Sequence, residues 1–148
     1  YGEVNFKNIA IGIIPIDEDG YTWRVGQFRF PINKYSWEIP EGGGPIGINP
    51  LESAKRELQE EVGYTAKQWS EFLQLDLSNS VTNERAIVFL AESLTFIGTS
   101  YKDTENLRFE RLHFSTLYQQ VLNGSITDSI SVAAVLKLAL LRPEFLEI

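Results

Sequence analysis

Residues 42–64, GGGPIGINPLESAKRELQEEVGY, form the segment from which the architecture of this chain can be worked out. The glycines indicate a turn, and the residues after them predict a helix from about Pro50 to Val62. Asn49 is a favoured N-cap residue, the proline after it suits the first helical position, and Gly63 suits the left-handed position that ends many helices. Glu52, three residues after Asn49, is expected to complete a capping box.

Three glutamates crowd one face of this predicted helix. Glu57, Glu60 and Glu61 stand three and four residues apart, away from the apolar stripe. Like charges at this spacing destabilise an isolated helix by roughly 0.2 to 0.5 kcal/mol per pair, so the cluster favours a bound counter-charge. Magnesium suits it, because this ion takes oxygen ligands and is usually shared between carboxylates and substrate phosphates. An ordinary solvated helix face is the alternative, and three glutamates alone favour it.

The glycines and Arg56 change that balance, because the segment resembles the Nudix box, G-x5-E-x7-R-E-U-x-E-E-x-G-U, where U is a bulky apolar residue. One position departs from the pattern, since Ile48 stands where the box has its first glutamate. This departure is expected to affect the orientation of Arg56 and the reaction rate. The matching residues are Gly42, Arg56, Glu57, Leu58, Glu60, Glu61 and Gly63, with the aromatic Tyr64 at the last apolar position.

The resemblance implies a divalent metal site, with Mg²⁺ expected and Mn²⁺ as an alternative ion. Glu57 and Glu61 match the principal metal ligands, and Glu60 matches a further ligand or a group that orients water. Arg56 is expected to orient the carboxylates. The backbone carbonyl of Glu41 corresponds to a main-chain metal ligand, and the Glu41 side chain is expected to face water.

Two flanking segments resemble the ADP-ribose pyrophosphatase branch of the same family. They are VGQFRFPINKYSWEIPEGG, residues 25–43, and the turn NGSITD, residues 123–128, with the helix SISVAAVLKLAL after it. Arg29 in the first segment is a candidate clamp for phosphate or carboxylate, because its planar fork matches oxyanions, with a structural pair to Glu38 as the alternative. Glu38 is either a site residue or a polar position on an outer strand, and Glu84 is a candidate recognition residue.

The general base in this branch is often a glutamate on a late loop, which here corresponds to the acidic segment YKDTE, residues 101–105. Glu105 is the preferred residue and Asp103 the substitute, against the alternative of a merely solvated loop. His113 is expected to be a strand residue without a chemical role. Trp37 is expected to pack in the core or an interface, with base stacking as the alternative.

Composition limits the remaining possibilities. The chain has 148 residues, 43% of them hydrophobic, which predicts one domain over residues 1–148. A net charge of -7 disfavours a nucleic-acid surface, and a chain with no cysteine and one histidine is left with oxygen ligands for a metal. No run of about 18 apolar residues and no signal peptide are visible, so we expect no membrane span and a cytoplasmic location. The start at Tyr1 and the lack of methionine predict missing upstream residues.

The order of the predicted elements gives the fold class. Strands and helices alternate irregularly, which indicates an α+β protein, an α/β/α sandwich with a mixed sheet covered on both faces. The first two strands are expected to pair as a hairpin through the turn DEDG. Predicted strands are 8–16, 21–30, 36–39, 69–77, 84–91 and 107–114; helices after the first are 115–123, capped by Ser115, and about 128–141.

These residues and resemblances predict a magnesium-dependent Nudix diphosphatase. Its substrate is a nucleoside diphosphate linked to another moiety, with ADP-ribose, cleaved to AMP and ribose 5-phosphate, as the first choice. Another nucleotide sugar such as GDP-mannose is the alternative substrate. A catalytically silent Nudix-like nucleotide-binding module is the alternative of a different class. The branch also implies a homodimer.

Overall fold

The computed structural model describes residues 2–98 and 107–148. Seven strands form two sheets within these ranges. The strands are β1 Asn8–Pro15, β2 Tyr21–Arg29, β3 Lys34–Glu38, β4 Glu41–Pro45, β5 Tyr64–Asp76, β6 Arg85–Phe96 and β7 Arg108–His113. A four-stranded sheet has the order β4-β1-β6-β5 and a three-stranded sheet has the order β3-β2-β7. The pairing of β1 with β6 is parallel, and the other pairings are antiparallel.

Three α-helices accompany these strands. The first, α1 Pro50–Glu57, continues into a π-helical turn, Leu58–Val62, which ends at Gly63 with a φ of 81°. The other two are α2 Phe114–Leu122 and α3 Ser129–Leu141. No helix in the described ranges is long and apolar enough to cross a membrane.

The four-stranded sheet is buried on both faces, which confirms the predicted α/β/α sandwich. Alternate residues of its central strands pack on opposite sides, as the two-residue period of a strand requires. One face carries Ile11 and Ile13 and packs against Leu58 of the first helical segment. The other face carries Ile14 and packs against α2 and α3, for example through Phe114.

The predicted hairpin of the first two strands is wrong. The turn exists, since the Gly20 N–H donates to the Asp17 carbonyl at 3.0 Å. However, β1 lies between β4 and β6, whereas β2 lies between β3 and β7 in the other sheet. The run IAIGIIPI is apolar on both faces, which is typical of a central strand with a parallel neighbour rather than of a half-exposed hairpin.

Further local predictions need correction. The glycine-rich segment is not only a turn, because Glu41–Pro45 pairs with β1 as a strand. The fifth strand begins at Tyr64, well before the predicted residue 69. The cap of α2 is His113, whose side chain accepts the Ser115 N–H at 3.1 Å.

The cap of α1 is partly as predicted. The Asn49 side chain accepts a hydrogen bond from the Leu51 N–H at 2.9 Å. The Glu52 carboxylate lies 3.8 Å from Lys55 Nζ, so a surface ion pair takes the place of the capping-box contact.

Candidate functional site

The carboxyl groups of Glu57 and Glu61 meet where α1 passes into the π-helical turn. Leu58 and Val62 are buried and anchor this turn in the core, which leaves the glutamates on the opposite side. The two carboxyl groups are neighbours, and the charge of Glu57 adds to the effect of burial in raising the pKa of Glu61. Glu60 lies close enough that its charge raises the pKa of both. The structure therefore brings together the three glutamates that the sequence predicted.

Strand β4 closes over this group at Gly42. A Cβ atom added at Gly42 would overlap the carboxyl carbon and both carboxyl oxygens of Glu57, so only glycine allows this approach. Arg56 Nη2 donates to the Gly43 carbonyl at 3.2 Å and lies 3.5 Å from Glu57 Oε1. Arg56 therefore ties β4 to the helix beside Glu57, although Ile48 occupies the position of the missing glutamate.

The electrostatics of Glu61 indicate a site built for a cation. Burial, followed by the neighbouring Glu57 and Glu60, raises the pKa of Glu61 to about 8. Burial also raises the pKa of Glu57, against the opposing effect of Arg56. In the described part of the chain, Glu61 Oε2 is one of three buried side-chain oxygens without a hydrogen-bond partner. A hard cation would supply both the missing partner and the missing positive charge, so these residues fit a divalent metal.

A second group of carboxylates lies nearby, formed by Glu38, Glu41 and Asp128. One oxygen from each lies within 4.8 Å of the others. Glu38 is 3% exposed and forms a bidentate pair with Arg29, with distances of 3.0 Å from Nε and 2.6 Å from Nη2. Ser36 Oγ donates to Glu38 as well, at 2.7 Å. The ion pair considered for Arg29 and Glu38 is therefore present.

The expectation that the Glu41 side chain faces water is wrong. Its Oε2 accepts a hydrogen bond from Ser131 Oγ at 3.2 Å, and one of its carboxyl oxygens lies within 4.8 Å of an oxygen of Asp128. Burial first, and then Asp128, raise the pKa of Glu41 well above its ordinary value. Asp128 is the N-cap of α3, so the start of this helix covers Glu41. Neither contact has a local sequence signal, because about 90 residues separate Glu41 from its partners.

Two neighbouring cavities lie beside the carboxylate groups. One, of about 260 Å³, is lined by Arg29, Pro31, Ile32, Ser36, Glu38, Thr127 and Asp128. The smaller, of about 30 Å³, is lined by Val25, Gln27, Arg29, Glu38, Ile39, Glu41, Glu61 and Leu107. Arg29 and Glu38 line both cavities, and Glu61 lines the smaller one.

The structure says less about the other predicted site residues. Glu84 lines neither cavity; its backbone N–H donates to Thr82 Oγ1 at 3.3 Å. Asp103 and Glu105 lie outside the described residues. The face of Trp37 is covered by the Arg24 guanidinium, 3.8 Å from the ring centroid, so the packing interpretation of this tryptophan fits better than base stacking.

Comparisons with known proteins agree with this geometry. A model of the NUDIX domain family matches residues 7–124. The chain is 31% identical over 130 residues to an ADP-ribose pyrophosphatase of Mycobacterium tuberculosis, covering 86% of this chain and 63% of that protein. It is 36% identical over 88 residues to an ADP-ribose pyrophosphatase of Bacillus subtilis, covering 60% of this chain and 48% of that protein. The chain therefore spans between about half and two thirds of the length of these relatives.

A solved structure described as an ADP compounds hydrolase has the same fold. It superposes with a TM-score of 0.82 and covers 95% of this chain and 75% of the other. The two sequences are 20% identical.

Proposed function

Because the chain belongs to the Nudix family, we propose that it hydrolyses the diphosphate linkage of a nucleoside diphosphate joined to a second moiety. ADP-ribose, cleaved to AMP and ribose 5-phosphate, is the substrate that the relatives favour. The observation that carries the proposal is the buried Glu61 Oε2, which has no hydrogen-bond partner among the described residues and belongs to a group of carboxylates beside a cavity.

Glu57 and Glu61 hold the metal in this proposal, with Glu60 and the Glu41 backbone carbonyl as further ligands. Mg²⁺ is the expected ion and Mn²⁺ its substitute. A bound divalent ion would neutralise charge on the phosphates and lower the pKa of a bound water.

The residues of the chain supply positioning and recognition. Arg56 keeps Glu57 in place through its bond to Gly43. Arg29 lines both cavities, and because its Nε and Nη2 pair with Glu38, the group it can offer to a phosphate or carboxylate oxygen is Nη1. Glu105, or Asp103 in its place, is proposed as the general base, and Glu84 as a recognition residue at the rim of the substrate site.

The chemistry of the larger cavity supports a sugar beyond the diphosphate. Its lining includes the Thr127 hydroxyl and the Asp128 carboxyl group, which can form hydrogen bonds with the hydroxyl groups of a sugar. A second nucleotide sugar such as GDP-mannose fits the same description and is the alternative substrate. The net charge of -7 disfavours a nucleic-acid substrate.

A homodimer is part of the proposal, and an exposed apolar patch beside the larger cavity supports it. Phe28, Phe30, Ile32 and Tyr35 are 40%, 83%, 55% and 39% exposed, around the turn between β2 and β3. A partner that covers this patch would also wall the cavity. Light scattering at several concentrations tests the dimer, and a monomer throughout would contradict it.

The single-domain organisation and the cytoplasmic location stay predictions, testable by limited proteolysis and by cell fractionation.

The decisive experiment is an assay of the purified chain with Mg²⁺ against dinucleotides, nucleotide sugars and nucleoside triphosphates, with products identified by mass. The expected result is AMP and ribose 5-phosphate from ADP-ribose, at a higher kcat/KM than for any triphosphate. Pyrophosphate release from triphosphates alone would assign the chain to another Nudix activity. A chain that binds nucleotides but hydrolyses none of them would instead be the silent binding module.

A further inference from the structure

The chain crosses from one sheet to the other in the two residues between Glu38, at the end of β3, and Glu41, at the start of β4. This crossing segment, Ile39–Pro40, joins the residue that pairs with Arg29 to the residue whose backbone we propose as a metal ligand. The Pro40 carbonyl accepts a hydrogen bond from the Ile13 N–H at 2.9 Å. The Ile39 N–H donates to a side chain, Ser131 Oγ, at 2.9 Å.

Ser131 is 0% exposed and lies in the first turn of α3. The N-cap Asp128 accepts from its backbone N–H at 3.1 Å and from its hydroxyl at 2.8 Å. Glu41 Oε2 lies 3.2 Å from the same hydroxyl. A serine hydroxyl has one proton and two lone pairs, so it can accept from Ile39 and donate to one of these carboxyl groups at a time.

One hydroxyl therefore links three parts of the molecule, namely the start of α3, the crossing segment and the Glu41 side chain. These contacts fix the backbone immediately before Gly42. The backbone has little room to move there, because Gly42 already packs against the Glu57 carboxyl group without room for a methyl group. A displacement of about 1 Å in such a site is enough to cost about a hundredfold in rate.

We propose that Ser131 is a positioning residue for the metal site, which holds the Ile39–Glu41 backbone so that the Glu41 carbonyl and Gly42 stay in register with Glu57. Ser131 touches neither metal nor substrate in this role. The proposal rests on the proposed function for its kinetic part, whereas its metal-binding part can be measured without substrate.

A buried serine can also matter for stability alone, and the chain offers a matched control. Ser53 is 2% exposed and packs against Gly44 of strand β4, and its hydroxyl has no hydrogen-bond partner within residues 2–98 and 107–148. Ser53→Ala thus removes a buried hydroxyl near the site without removing a hydrogen bond. Ser131→Cys complements Ser131→Ala, because the thiol keeps most of the volume but is a weak donor and acceptor.

The experiment measures Mn²⁺ binding to the substrate-free protein, by the electron paramagnetic resonance signal of the free ion, for the wild type and these three variants. We expect Ser131→Ala and Ser131→Cys to weaken Mn²⁺ binding by roughly tenfold, the effect of about one hydrogen bond. Ser53→Ala should bind as the wild type does. In assays, the Ser131 variants should need more Mg²⁺ for half-maximal rate, and at saturating Mg²⁺ their substrate KM should change less than kcat.

The outcomes separate this inference from the proposed function. Wild-type protein that binds no Mn²⁺ would overturn the metal site itself and this inference with it. Wild-type protein that binds Mn²⁺, with equal binding by either folded Ser131 variant, would overturn the role of Ser131 alone. Equal weakening in Ser53→Ala would also overturn it, because loss of any buried hydroxyl would then explain the effect. Circular dichroism at the assay temperature verifies that each variant is folded.

Discussion

The protein has two groups of carboxylate side chains, which share their chemistry but differ in the hydrogen-bond donors around them. One oxygen from each of Glu38, Glu41 and Asp128 lies within 4.8 Å of the others, but Arg29, Ser36 and Ser131 supply donors to these carboxylates. At the end of α1, Glu61 Oε2 is buried and meets no donor in the part of the chain that the structure describes. Proximity of carboxylates alone would favour the first group as the cation site, whereas the unmet hydrogen-bonding capacity favours the second. Donors missing around a buried carboxylate are the better indicator of a metal ligand.

The strongest test of this contrast is Glu61→Gln. The amide keeps the shape of the side chain but loses the charge and one acceptor, so we expect nearly all activity and most Mn²⁺ affinity to disappear while the fold remains. Glu57→Gln should behave in the same way. Steady-state kinetics with Mg²⁺, together with Mn²⁺ titration and circular dichroism, measure the three properties.

Unchanged turnover in Glu61→Gln would show that Glu61 is not part of the metal site. A matched control is Glu52→Gln, which alters an exposed glutamate of the same helix that lies 3.8 Å from Lys55 Nζ. This control should keep the activity and the metal affinity of the wild type.

The next largest effect is expected for Gly42→Ala. The new Cβ would occupy the position of the Glu57 carboxyl group, so either β4 or Glu57 has to move. The Glu57 carboxyl group is the end of a flexible side chain and can swing aside, so the free energy of unfolding should change little, whereas the displaced ligand should lower kcat/KM by roughly a hundredfold. Urea unfolding and steady-state kinetics measure the two effects.

Gly43→Ala is the control for this substitution. A Cβ at Gly43 would meet only Asn8 Cβ, at 3.9 Å, which is an ordinary contact. We expect little change in stability or rate. Equal losses in both variants would show that β4 requires glycine for its backbone rather than for the approach to Glu57.

The sequence predicted one of the two carboxylate groups and not the other, because the residues of the first are close together in the chain and those of the second are far apart. Glu57, Glu60 and Glu61 lie within five residues on one helix, so helical spacing alone predicted that they meet. The second group joins β3, β4 and the start of α3, and its contacts span 90 residues. Asp128 was predicted at the start of the last helix, but its contact with Glu41 depends on how the sheets pack. The hairpin prediction failed for the same reason, because short-range turn signals do not show which sheet a strand joins.

The raised pKa of Glu61 predicts a pH-dependent stability in the metal-free protein. The folded state binds this proton more tightly than the unfolded state, whose pKa is near 4.5. The contribution of Glu61 is therefore complete below about pH 4.5 and is lost as the pH rises through about 8, so stability falls across that interval. Urea unfolding in the presence of a chelator at several pH values measures it.

Because other groups titrate in the same interval, Glu61→Gln is the reference. As the pH rises, the free energy of unfolding of the wild type should fall relative to that of this variant. Addition of Mn²⁺ at about pH 8 should restore the stability of the wild type only. A difference that does not depend on pH would mean that Glu61 titrates normally.

The smallest effect is expected for Ile48→Glu, which restores the first glutamate of the box. Ile48 is 52% exposed, and Arg56 already has the Gly43 carbonyl at 3.2 Å as its acceptor. A new carboxylate at the surface would add an exposed ion pair at most, worth about 0.2 to 1 kcal/mol, so kcat/KM should rise less than about fivefold. Ile48→Gln, which has similar size without the charge, is the control. An inert wild type that gains hydrolysis on Ile48→Glu would instead identify this chain as a binding module whose metal site depends on the missing carboxylate.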